Sequence, residues 1–193
     1  MNAFFFLLVA STPASPAECL ARFPERAPSS ARAYFNHFDS LFREVGEARN
    51  IDPALLKAVA YCETRLDPCA ISEGAHAAGL MQFMPATFRE VGPIAHADDP
   101  FEPRDSIRAA GLYLAALTNY WRGDFEAVVA SYNAGPNAVA RARRKGLRIP
   151  DIAETTGYVA CVTQTHAWLR RSRPAVVEEP ASLMTSFSQW LNR

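Results

Sequence analysis

Apolar residues return along the chain at three- and four-residue steps far more often than at alternate positions, the pattern of helices that bury one face. Tyr34, Phe35, Phe38, Leu41, Phe42 and Val45 form one such stripe. A second helix begins at Asp52-Pro53, because Asp can accept from the free N–H groups of a first turn and proline suits the first helical position. It is predicted to run to about Arg65, since Pro68 forbids continuation. After a glycine-containing loop over 70–79, Pro85 opens a short helix. Ile107, Gly111, Leu114 and Leu117 mark another stripe, and Asp124 caps a helix through Tyr132. The run NAGP at 133–136 breaks that helix, and a short basic helix follows to Gly146. A last helix over about 156–171 carries Tyr158, Cys161, Val162 and Trp168. No stretch alternates cleanly with period two and no internal repeat is present, so the expected fold class is mainly α, with little or no strand.

The two ends read differently from this middle. Residues 1–17 hold an apolar run from Ala3 to Ala10 followed by small residues and prolines, the layout of a secretory signal peptide cleaved after Ala17. The run is too short to span a bilayer; the alternative is a buried N-terminal strand or helix. Cleavage would leave an exported, periplasmic protein with one domain over 18–171 and a 172–193 extension. That extension is a linker, RPAVVEEP, and then a tail in which Leu183, Phe187, Trp190 and Leu191 share a helical face. The face either docks on the domain or engages a partner.

Composition narrows the function classes. The 193 residues are 49% hydrophobic with a net charge of zero, enough for one sizeable core and without the basic excess of a nucleic-acid binder. The basic run RARRK at 141–145 is read as a solvated helical face rather than a polyanion or membrane contact. Export gives the four cysteines, Cys19, Cys62, Cys69 and Cys161, access to an oxidising compartment, where they allow three pairings. Cys62 and Cys69 lie close across a turn made by Asp67 and Pro68, so the expected bridges are Cys62–Cys69 and, by subtraction, Cys19–Cys161. A zinc site is the rival reading, disfavoured because there is no CxxC pair and the histidines show no ligand spacing; no metal is expected.

One acid stands out in the run YCETRLDPC. Leu56 and Val59 lie seven and four residues before Glu63, which places its carboxylate on the apolar face of the second helix. Desolvation there raises a carboxyl pKa and yields a competent general acid; the plain alternative is an acid in a last helical turn that reaches water.

The motifs downstream of Glu63 decide between them. ETRLDPCAIS, GLMQFMPAT, DPFEP, IRAAGLYLAAL, GDFEAVVASYNAGP and ETTGYV occur in an order and at a spacing that resemble the family-1 lytic transglycosylases, whose SLT-type domain is related to goose-type lysozyme. The resemblance covers about 51–169. It implies a lysozyme-like helical domain that cleaves the β-1,4 bond between N-acetylmuramic acid and N-acetylglucosamine in peptidoglycan and leaves a 1,6-anhydro end, with no cofactor. It also implies that Glu63 is the catalytic residue, and that Ser72, Met81, Gln82, Tyr132, Asn133, Glu154 and Tyr158 line the substrate cleft, the Tyr132 hydroxyl near Glu63. Three positions depart from the family pattern. Thr64 replaces a serine, the 72–79 loop is one residue longer with His76 and Ala77 in place of Gly-Ala, and Ser106 replaces an asparagine. Two other functions stay open: a hydrolytic muramidase, and a non-catalytic peptidoglycan-binding or assembly module. In the leading reading the cut opens the wall for a secretion or conjugation machine, with the C-terminal tail holding a secretion-apparatus protein.

Overall fold

The computed structural model describes residues 15–23 and 35–172. Tyr34, most of the expected signal peptide and nearly all of the C-terminal extension lie outside the described residues. Among the described residues, eight helices follow one another: α1 (Pro16–Arg22), α2 (Asp39–Arg49), α3 (Pro53–Thr64), α4 (Pro85–Ala95), α5 (Pro103–Tyr120), α6 (Phe125–Ala134), α7 (Pro136–Arg144) and α8 (Ala153–Ser172). No strand occurs among the described residues; two isolated bridges, Ile71 with Ala78 and Ala78 with Phe83, fold the α3–α4 loop on itself.

The start signals act as expected. The Asp52 carboxylate accepts from the Ala54 N–H at 2.9 Å and the Asp124 carboxylate from the Ala127 N–H at 3.1 Å. Prolines occupy the first turns of α3, α4, α5 and α7. Sequence reading missed α1, whose Ser15 cap forms a reciprocal pair with Glu18.

Helix α3 is the spine. Leu56, Ala58, Val59 and Ala60 are fully buried, and α2, α5 and α8 pack around the helix. Every position from Ala54 to Ala60 is buried, so α3 is enclosed by protein on all sides through its middle, and burying a side chain such as Leu56 is worth roughly 1.5–3 kcal/mol. Close packing of α5 on α2 needs Gly111, where an added Cβ would lie 2.4 Å from Val45 Cγ1.

The disulfides correct the sequence expectation. Cys19 bonds to Cys69 and Cys62 to Cys161, with Cα separations of 5.7 and 6.1 Å. The predicted Cys62–Cys69 and Cys19–Cys161 bridges do not form. The reason lies in how α3 ends: Arg65 and Leu66 both adopt positive φ, 56° and 69°, and swing the chain off the helix axis. Cys69 is thereby carried to α1, into a buried cluster with Phe101, while Cys62 stays on the face of α3 that meets α8. Closeness in sequence was the wrong guide, because a helix face, not a turn, sets the direction of Cys62. The bridges close loops of 50 and 99 residues, each worth about 4–5 kcal/mol in the chain-entropy picture.

Candidate active site

Glu63 is the penultimate residue of α3, where the sequence pattern places it. It retains some solvent contact but is surrounded by protein on most sides. Its carboxyl is pushed up from the ordinary 4.5 to about 7, chiefly because burial penalises the charged form. The Tyr158 hydroxyl pulls in the opposite direction, and the Glu154 charge adds a smaller push upward. The Tyr158 hydroxyl is buried and meets full hydrogen-bond geometry with no protein atom, so its contact with Glu63 is loose. An acid in this state is part protonated at neutral pH, and so can give a proton and then recover one.

The end of α3 is tied down on either side of the acid. Thr64 Oγ1 donates at 3.0 Å to the Leu80 carbonyl, or at 3.2 Å to the Ala60 carbonyl one turn back. Cys62 is bonded to Cys161 on α8. The replacement of the family serine by Thr64 therefore keeps the hydroxyl that grips the next loop.

That loop carries Gly79, Leu80, Met81 and Gln82. Gly79 has φ 75°, and a Cβ there would lie 1.8 Å from the Pro100 carbonyl oxygen, so only glycine fits. The Met81 side chain is fully buried. It is the Met81 backbone that faces the site: its carbonyl accepts from the Tyr132 hydroxyl at 2.9 Å, and its N–H donates to Ser106 Oγ at 3.3 Å. Ser106, where the family pattern has asparagine, thus holds the loop from α5, a role sequence reading missed because the residue sits within an apolar stripe. The Gln82 amide nitrogen donates to the Ala70 and Gly79 carbonyls at 3.1 and 3.0 Å. Ser72 accepts from the Ala77 N–H at 2.9 Å, so its hydroxyl closes the longer 72–79 loop.

From the other side come α6 and α8. Asn133 Oδ1 accepts from Thr155 at 2.9 Å, and its amide nitrogen donates to Glu154 at 3.4 Å, joining the NAGP and ETTGYV segments. Tyr132 feels the Glu63 charge, but burial is the larger reason that its hydroxyl titrates well above the usual range. Tyr158 is the tyrosine whose hydroxyl acts on the acid; Tyr132 braces the loop opposite. A cavity of about 260 Å³ opens among Gln82, Met84, Tyr113, Tyr132, Asn133 and Gly135. Tyr113 was not anticipated; its ring lies 5.7 Å from that of Tyr132, one apolar stripe position among several on α5. A larger cavity of about 510 Å³ lies beside Phe35, Lys57 and Trp168, toward the other half of α3. Lys57 is already paired there with Asp39 at 2.6 Å, and no acid like Glu63 faces the space.

Comparison with known proteins converges on one family. The profile of the Transglycosylase SLT domain matches residues 40–148. The peptidoglycan transglycosylase gp16 of Escherichia phage T7 is 34% identical over 101 residues, 51% of this chain and 8% of that protein. A Haemophilus influenzae protein, the "Putative soluble lytic murein transglycosylase", is 29% identical over 141 residues, 66% of this chain and 23% of that one. The crystal structure of the 70 kDa soluble lytic transglycosylase of Escherichia coli superposes with a TM-score of 0.63 at 26% identity, over 69% of this chain and 24% of that one. The complex of the 70-kDa soluble lytic transglycosylase with bulgecin A, at 21% identity and a TM-score of 0.66 over 88% of this chain and 33% of that one, shares the fold. The matches thus span less than a quarter of the length of either curated relative.

Proposed function

Because the chain belongs to the Transglycosylase SLT domain family, we propose that it is a peptidoglycan lytic transglycosylase, cutting the β-1,4 bond between N-acetylmuramic acid and N-acetylglucosamine. The observation that carries this reading is Glu63, desolvated at the C-terminal end of α3, where burial pushes its carboxyl up to about 7.

The protonated carboxyl donates to the glycosidic oxygen as the bond to C1 of the muramic acid breaks, releasing the N-acetylglucosamine end. Glu63, now a carboxylate, takes the proton of the muramic acid 6-hydroxyl, and that oxygen closes on C1. The product is a 1,6-anhydro end, the acid is regenerated, and no water enters the balance. A partner carboxylate is not needed for this route, unlike the paired acids of most glycosidases. Intramolecular attack gains from proximity, which supports a mechanism with a single reacting side chain. Glu154, the other acid whose charge acts on Glu63, is engaged by the Asn133 amide and serves to orient the neighbouring wall.

The same reading extends to location and partners. With residues 1–17 as an export signal, the protein acts on the wall from the periplasm, and residues 172–193 hold a secretion-apparatus protein. No described helix is long and apolar enough to cross a membrane. Mass spectrometry of material released from purified sacculi tests the reaction: anhydro ends support it, and reducing ends would make the protein a hydrolytic muramidase instead.

A further inference from the structure

Cys62 immediately precedes Glu63, and Cys161 lies three residues after Tyr158, so one covalent bond links the neighbour of the acid to the helix turn that carries its phenol. Positions 158, 161 and 165 share one face of α8. Thr165 on that face approaches the Cys62 sulfur at 3.8 Å. Helix α3 ends one residue after Glu63, Arg65 being already left-handed, and last turns fray when they are not tied. The Tyr158 hydroxyl has no partner at full hydrogen-bond geometry that would fix its distance from the acid. Two ties flank Glu63: the Thr64 hydroxyl to the loop on one side, and the disulfide to α8 on the other. The Cys19–Cys69 bridge does neither job, since it joins α1 to the chain beyond α3.

We infer that the Cys62–Cys161 disulfide is a positioning element of the active site, which sets the spacing between the Glu63 carboxyl and the Tyr158 hydroxyl and keeps water from the gap. This rests on the reading of Glu63 as the catalytic acid. Without the bridge, α3 and α8 separate at the cleft; the loss of desolvation outweighs the loss of the Tyr158 contact, and Glu63 titrates closer to an ordinary glutamate. The titratable groups that act on Glu63 are Tyr158 and Glu154 on α8 and Tyr132 on α6. Both tyrosines stay protonated at any working pH because burial holds their hydroxyls well above 10.

The test compares the full-length double variants C62A/C161A and C19A/C69A with wild type, measuring muropeptide release from sacculi across pH 4–9 at a temperature below every melting point. The expected result for C62A/C161A is a kcat about tenfold lower, with the alkaline limb of its pH profile moved down by about one pH unit. C19A/C69A is expected to melt earlier yet keep the wild-type limb. A folded C62A/C161A with the wild-type limb and kcat overturns the inference, and so does a loss in both variants that follows melting temperature without moving the limb. If C62A/C161A does not fold, the profile is read on wild type reduced in place with its thiols counted, where an unmoved limb is equally fatal. Failure of the underlying reading looks different: oxidised wild type would release nothing, or Glu63→Gln would remain active.

Discussion

Glu63→Gln should stabilise the protein, and by an amount that depends on pH. In the folded chain the carboxyl titrates near 7 rather than 4.5. Between those values the folded state holds a proton that the unfolded state has released, so stability falls as pH rises. The contribution is fully present below about 4.5 and gone above about 7. At about 1.4 kcal/mol per pH unit, the interval corresponds to about 3 kcal/mol. Glutamine has no proton to lose, so the variant escapes this penalty. Guanidinium unfolding of both proteins should therefore give similar stabilities at pH 4, up to small packing differences, and an advantage of about 3 kcal/mol for the variant at pH 8. In thermal melts this is a rise of roughly 6–12 °C at pH 8 for a chain of this size. A stability difference that does not change between pH 4 and pH 8 would refute the claim that burial governs Glu63.

Other variants probe the parts of the cleft separately. Tyr158→Phe removes the contact that lowers the Glu63 pKa, so the alkaline limb of activity should move up, the reverse of the shift expected on losing the Cys62–Cys161 bridge, while stability changes by less than about 1 kcal/mol. Thr64→Val deprives the Leu80 carbonyl of its donor and should cost about 1–2 kcal/mol in denaturant unfolding; Thr64→Ser should retain both stability and activity. Gly79→Ala forces a Cβ against the Pro100 carbonyl at a positive φ and should cost about 3 kcal/mol or more, read as a fall in melting temperature.

The helices were legible because their signals are local. Asp52-Pro53 and Asp124 state where α3 and α6 begin, whereas α3 is buried at every position from Ala54 to Ala60, so the spacing of Leu56 and Val59 does not by itself single out the face on which Glu63 lies. The disulfide partners were not legible, because they depend on where α8 and α1 pack, and on the two left-handed residues at Arg65 and Leu66. Neither is written in the distance from Cys62 to Cys69. The identities of the cleft residues could be read from linked motifs, but their jobs could not. Met81 works through its carbonyl while its thioether is in the core, and Ser106 holds a loop twenty-five positions away in sequence. Backbone partners of this kind leave no mark in a pattern of side chains.

The most direct test of Glu63 as sole acid and base is product analysis of purified sacculi digested by wild type and by Glu63→Gln. Soluble muropeptides ending in 1,6-anhydro-N-acetylmuramic acid from the wild type, and none from the variant, are the predicted result. Undiminished release by Glu63→Gln, or reducing ends from the wild type, would contradict it.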